Sequence, residues 1–224
     1  MMNNRVAHRW IEAREAWLGQ VFNGDVRTAR GNMDFQAVFM MGPPGAGKSF
    51  VKAKMYLNHT GFHDIDADEM KKRHPDYDPM HPERVHLWSL GEQENELKRV
   101  ALTGEPFVYD GTGFDPKPVI EHIDIAKKNG YRIFLVYVYV PVEIALFRNR
   151  NRGRFVPEDV IEDKAIKVER SFNFLRPRVD KTHVVENFDQ SQWTEAKKDM
   201  AVYPPPQAKV PPRPGDPDYG KPVS

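Results

Sequence analysis

Apolar residues recur along this chain in two rhythms that take turns. Phe35 to Met41 and Tyr131 to Val140 are nearly unbroken apolar runs rich in β-branched and aromatic residues, the pattern of parallel strands covered on both faces. Shorter runs at Phe62–Asp66, Phe107–Tyr109 and His183–Val185 predict three more strands. Between them the spacing changes to that of helices. Glu83 to Leu102 is a long, highly charged helix ended by Thr103-Gly104-Glu105-Pro106. Val119, Ile120, Ile123 and Ala126 form one stripe of a helix that starts at Asp115-Pro116 and stops at Asn129-Gly130. Pro141 opens a helix through Phe147, and Pro157-Glu158-Asp159 opens another toward Phe174. Regular alternation of strand and helix predicts an α/β fold: a parallel five-stranded sheet flanked by helices, with ligands beyond the strand C-terminal ends.

Two segments stand apart. Val6, Trp10, Ala13 and Trp17 make one stripe of an amphipathic helix, expected to pack on the domain; covering the ligand cleft or meeting a partner is the alternative. From Tyr203 to Ser224 the chain is proline-rich, with few apolar residues, and is expected to be a solvated or polyproline-II tail. The expected division is therefore a helical segment over 1–34, one domain over 35–202 and a tail over 203–224.

The turn after the first strand carries the strongest chemical signal. Gly42-Pro43-Pro44-Gly45-Ala46-Gly47-Lys48-Ser49 satisfies the G-x-x-x-x-G-K-[ST] spacing, between an apolar strand and a plausible helix that ends near Asn58 to Gly61. In that context backbone N–H groups surround phosphate oxygens, Lys48 reaches the terminal phosphates and the Ser49 hydroxyl ligates Mg²⁺. The fold expected is therefore a P-loop NTPase, nucleoside-kinase-like. A plain glycine loop between core elements leaves the lysine and hydroxyl unexplained.

Composition narrows the picture. The 224 residues include 33 basic and 32 acidic side chains, a formal charge of +1 that gives no general pull toward nucleic acid or membrane. There is no cysteine, which excludes disulfides and thiolate–zinc sites and suits a reducing cytoplasm. The N-terminus leads into charge, so no secretory signal is read, and the longest apolar run is too short to span a bilayer as a helix.

Other chemical segments begin at predicted strand ends. In Ile65-Asp66-Ala67-Asp68 two acids two apart on an extended segment face the same way. One of them accepts a proton from an attacking hydroxyl, while the other holds Mg²⁺-bound water or orients the loop. Helix capping before Glu69-Met70-Lys71 is the plain alternative. Asp110 ends the third strand, the position of an acid that holds Mg²⁺ directly or through water; Gly111 and Gly113 permit close approach and Thr112 offers a hydroxyl. Arg148, Arg150, Arg152 and Arg154 alternate in a row suited to a mobile lid that neutralises a transferring phosphoryl group, one or two of them acting and the rest solvated. Trp88-Ser89 with Glu92 and Glu94 either lines an acceptor pocket or forms a half-exposed helix, and His74-Pro75 reads as a turn.

Together Gly42 to Ser49, Ile65-Asp66-Ala67-Asp68-Glu69-Met70-Lys71-Lys72-Arg73-His74-Pro75, Asp110-Gly111-Thr112-Gly113, and Gly130-Tyr131 leading to Val138-Tyr139-Val140-Pro141 resemble the zeta toxin family of P-loop kinases over roughly residues 35–187. That resemblance implies an ATP- and Mg²⁺-dependent phosphotransferase, whose relatives phosphorylate the 3′-hydroxyl of the amino sugar in UDP-N-acetylglucosamine, and an antitoxin-type protein partner. It implies that Lys48 and Ser49 hold nucleotide and Mg²⁺ and that Asp68 is the catalytic base. Asp66, Lys71, His74, Glu94, Asp110 and Thr112 are implied to serve the acceptor, Asp110 standing where the toxins usually carry Glu. Arg154 matches one lid arginine, with Arg148 or Arg152 as the other. The helix over 82–102 matches poorly, and that part of the site chooses the acceptor.

The expectation is thus a cytoplasmic kinase acting on a small-molecule hydroxyl. An enzyme alternative takes a nucleoside, a modified DNA base or a polynucleotide end, with the arginines at 148–154 and the lysines at 52, 54, 71 and 72 holding phosphates. A third reading is a nucleotide-binding regulatory module without transfer activity, docked by its proline-rich tail.

Overall fold

A run with no polar face has to be covered on both sides, and β1 (Gln36–Met41) is buried at all six positions. In the computed structural model, which describes residues 35–57, 61–151 and 156–202, β1 is the middle strand of a five-stranded sheet. The other strands are β2 (His63–Asp66), β3 (Phe107–Asp110), β4 (Arg132–Tyr139) and β5 (Lys181–Glu186). Their order is β2-β3-β1-β4-β5, and every neighbouring pair is parallel. β4, the other interior apolar run, is likewise buried over most of its length, whereas β5 at one edge is largely exposed or half-exposed.

Helices fill both faces. α1 (Lys48–Lys52) follows the glycine-rich loop and widens into a π-helical turn, Ala53–Leu57. α2 (Ala67–Lys71) is a short helix after β2. The long helix expected from Glu83 has a 3-10 turn at Pro82–Val85 and then α3 (His86–Ala101). α4 (Pro116–Lys128) starts where Asp115 accepts the Lys117 N–H at 3.0 Å, as the Asp-Pro pair predicts. α5 (Val142–Arg150) and α6 (Glu158–Leu175) follow. The pattern did not predict α7 (Gln190–Val202). Asp189 starts it by accepting the Gln192 N–H at 2.8 Å, and Ala196 and Trp193 seat it on the core.

One apolar cluster joins Val51 and Met55 with Ile144, Leu146 and Ala196 beneath one face of the sheet. A second joins Leu97, Ile123, Val168 and Phe172 with Phe39 and Tyr137 on the other. Burial of these side chains is the main stabilising term, roughly 1.5–3 kcal/mol for each large one. Its result is a rigid sheet whose C-terminal edge presents the ends of β1, β2 and β3 together. Among the described residues no helix is long and apolar enough to cross a membrane. The stripe at residues 6–17 and the proline-rich tail lie outside the described residues.

Candidate active site

The loop over 42–49 is built on backbone. Gly42 N–H donates to the Thr112 carbonyl at 3.1 Å, and Gly111 N–H to Met40 at 3.1 Å, so the β1–β3 ladder continues into both loops. Lys48 Nζ donates to Gly42 O at 3.0 Å across the same loop. Ser49 lies exposed in the first turn of α1. Gly47, the residue before α1, has φ 81°, and a Cβ there would run into the Asn187 side-chain amide. Only glycine meets both conditions.

That amide is half of a clamp. Asn187, just past β5, donates from Nδ2 to the Ala46 carbonyl at 2.7 Å. Arg148 supplies the other half: it donates to Gly45 O at 3.2 Å and Ala46 O at 3.4 Å, and to Asn187 O at 2.6 Å and Gln192 Oε1 at 2.7 Å. Arg148 was expected among the catalytic lid arginines. The structure instead commits its guanidinium to carbonyl-type acceptors around the loop, and burial lowers its proton affinity. Arg150 is tied to Glu158 at 2.5 Å and Asp199 at 2.6 Å. Arg152 and Arg154 lie outside the described residues.

Asp110 ends β3 as expected, whereas Asp66 and Asp68 follow the capping alternative and do not form a facing pair on a strand. The strand ends at Asp66, and Asp68 is already helical, because Asp66 Oδ1 accepts the Asp68 N–H at 2.8 Å and caps α2. The acids that share one face of a strand are Asp64 and Asp66. Register then puts Asp66 beside Asp110 on β3. Lys52, on α1 one turn after Lys48, reaches all three carboxylates: Asp64 at 3.0 Å, Asp110 at 3.1 Å and Asp66 in a short ion pair. Its side chain is only 4 % exposed. Burial pulls the ammonium's proton affinity down, but the charges of Asp110 and Asp66 outweigh it, so Lys52 stays charged. Burial pushes the Asp110 carboxyl up, opposed by Lys48 and Lys52. Asp64 is pushed up in the same way.

Asp66 therefore holds the start of α2 and Lys52; both of its oxygens are engaged within the protein. Asp68 stands further out, its side chain two-thirds exposed, with Lys71 Nζ 2.6 Å from its carboxylate. Lys71 itself is buried. His74 sets its ring edge against Trp88 at 4.7 Å and accepts the Asp76 N–H on Nδ1 at 3.1 Å. Glu94 pairs with Lys98 at 2.6 Å, and that hydrogen bond lowers its pKa. Thr112 is half-buried beside Gly42. Gln93, absent from the sequence reading, is buried on α3 and ties three pieces together. It donates to Ile65 O at 3.2 Å and Asp110 O at 2.7 Å and accepts from the Tyr109 hydroxyl at 3.0 Å.

The donor set fits a nucleotide-borne Mg²⁺. Three carboxylates around one ammonium leave an excess of negative charge near the Asp110 side chain, and Ser49 offers a hydroxyl on the loop side. Among the described residues no group of three His, Asp or Glu side chains forms a metal cage of its own. Ser49 and Asp110 are the residues that would hold such an ion.

Comparison with known proteins gives a family and a fold. The family model described as Zeta toxin matches residues 30–199. No curated protein sequence matches the chain. A solved structure from the PezAT chromosomal toxin–antitoxin system of the human pathogen Streptococcus pneumoniae superposes with TM-score 0.60 at 14 % identity, covering 85 % of this chain and 96 % of that one. A chain of the Pnkp1/Rnl/Hen1 RNA repair complex gives TM-score 0.52 at 16 % identity, over 63 % of this chain and 46 % of that one. At such identities the structural likeness is one of fold.

Proposed function

We propose a kinase reaction for this chain, which belongs to the zeta toxin family and has a P-loop kinase fold. The γ-phosphoryl group of ATP passes to a hydroxyl of a small molecule, and a sugar nucleotide such as UDP-N-acetylglucosamine is the acceptor we put first. One observation carries the reading: the glycine loop, the Asp-Gly-Thr-Gly turn and the acid-bearing end of β2 are bonded to one another at a single sheet edge.

In this reading the loop N–H groups and Lys48 hold the triphosphate, and Ser49 and Asp110 are the residues that would hold Mg²⁺, which would neutralise phosphate charge. Lys71 steadies the Asp68 carboxylate at the cleft. The acceptor oxygen attacks the γ-phosphorus, its proton passes to Asp68, and the bond to the bridging oxygen breaks to release ADP. Arg154 and Arg152 are the proposed lid cations, and Arg148 is a positioning residue that fixes the loop. Thr112, Glu94 and His74 are assigned to the acceptor side, and Asp66 supports it from behind. The site of action proposed is the cytoplasm, and the partner proposed is an antitoxin-type protein.

The test is Asp68→Asn, read with γ-labelled ATP against a panel of sugar nucleotides, nucleosides and oligonucleotides. Mg-ATP affinity is expected to persist while transfer falls by a factor of roughly a hundred or more. Equal transfer by variant and parent overturns the assignment of the base. A nucleic-acid acceptor is the weaker reading, because Lys52 and Lys71 are buried and Lys72 is paired with Glu69 at 2.6 Å.

A further inference from the structure

Burying an amide costs free energy unless its polar atoms are met by partners. Gln93, on α3, is 2 % exposed. Its Nε2 donates to the Ile65 carbonyl at 3.2 Å and to the Asp110 carbonyl at 2.7 Å. Its Oε1 accepts the Tyr109 hydroxyl at 3.0 Å. The hydroxyl decides which way the amide faces: with its oxygen turned to that donor, its two N–H bonds point at the two carbonyls. The pattern suits glutamine. An ionised Glu has no donor, and Met of similar volume has neither donor nor strong acceptor.

The two carbonyls sit where β2 and β3 part. The strands pair Ile65 with Tyr109 and Asp66 with Asp110, and the ladder ends there. Beyond that point Asp66 caps α2, which carries Asp68. Asp110 leads instead into the Asp-Gly-Thr-Gly turn, which is bonded to the glycine loop through the Thr112 carbonyl. Gln93 therefore holds both walls at their last common point. α3 also meets α2 at its far end, where the Trp88 ring lies 4.7 Å from the ring of His74, just past α2. Lys52 joins the same strand ends through side-chain carboxylates, so the tie to the backbone is a separate restraint.

We propose that Gln93 is a positioning residue for phosphoryl transfer. By tying the Ile65 and Asp110 carbonyls to one amide, it fixes the stance of α2, and with it Asp68, against the Asp-Gly-Thr-Gly turn. It acts through the backbone and not through charge. A base displaced by a fraction of an ångström costs rate. The glycine loop keeps its own fastening to Asn187 and Arg148, so nucleotide affinity is spared. The inference rests on the kinase reading and adds to it a residue of α3 that lies behind the site.

The full chain is assayed with γ-labelled ATP and UDP-N-acetylglucosamine, and its amide hydrogen exchange is followed without ligand. Gln93→Met keeps the volume and removes all three bonds. Its kcat is expected to fall roughly ten- to a hundredfold, with KM for ATP within about twofold of the parent. Exchange over residues 67–71 and 110–113 is expected to quicken while β4 keeps the parental rate. Tyr109→Phe leaves both carbonyl bonds in place and is expected to keep kcat within about threefold. Gln93→Asn, with a shorter reach, is read in the same way if Gln93→Met does not fold. Parental kcat or parental local exchange in the Gln93 variant overturns the proposal. So does an equal loss in Tyr109→Phe, which assigns the effect to packing. A KM for ATP that rises as steeply as kcat falls, or exchange that quickens evenly through the sheet, marks a merely structural role and also overturns it. Quickened local exchange in a chain whose parent transfers phosphate to no sugar nucleotide, nucleoside or oligonucleotide keeps the tie and overturns the kinase reading instead.

Discussion

The two sides of the cleft are held by different physics. On the loop side, neutral backbone groups do most of the holding: N–H to carbonyl bonds, a left-handed glycine and one asparagine amide. Arg148 adds charge, but its bonds too end on carbonyl-type oxygens. On the acid side, one buried ammonium restrains three carboxylates from two strands. Backbone bonding is tolerant of side-chain identity but not of added volume. A buried ion cluster is the reverse, since loss of one charge leaves the others without compensation.

Lys52→Met tests that contrast most severely. It keeps the volume and removes the ammonium, so global stability measured by urea unfolding is expected to fall by about 3–5 kcal/mol. An unchanged midpoint would show that the acids are held by something other than Lys52. Gly47→Ala attacks the loop side and is expected to cost about 1–3 kcal/mol. Its sharper signature is an expected loss of Mg-ATP affinity in a chain that still unfolds cooperatively, because the strain sits in the loop to which the phosphates are assigned. Retained affinity would mean that the loop yields to a Cβ. The smallest effect belongs to a surface pair outside both sides. Hydrogen bonds from Arg99, and then from His63, lower the Glu96 pKa from 4.5 to about 2. The folded state holds this group ionised more strongly than the unfolded chain does. Its contribution is therefore complete above 4.5 and disappears as pH falls toward 2. Glu96→Gln is expected to lower stability by under about 1 kcal/mol near neutral pH, with parent and variant converging in acid. A gap that persists at the acid end would assign the effect to packing.

Legibility in the sequence follows the same divide. The loop, its strand and its helix are consecutive residues, so spacing alone located them, and the continuous apolar runs of β1 and β4 announced buried parallel strands. Features made by distant residues were not visible. Asp66 and Asp68 read either as a facing pair or as helix-capping acids, and local sequence does not decide between them; the structure makes Asp66 the cap, and the strand pair is Asp64 with Asp66. Lys52 offered a faint signal, being one helical turn beyond Lys48, but its acids come from β2 and β3. Gln93 gave none: an amide in a charged helix looks like surface until Tyr109 and the ends of β2 and β3 pack against it. Arg148 was drawn into a row of four arginines by its neighbours, and only the tertiary fold separates it from them. α7 escaped because its apolar residues are few and scattered, and contact with α5 supplies what its own pattern lacks.

The bond from Asn187 to Ala46 spans 141 positions of chain. A polypeptide emerging from the ribosome displays the whole glycine-rich motif early, yet the amide that fastens it is translated near the end of the domain. The loop therefore gains its fastening late in synthesis, and fragments released early carry the motif without it.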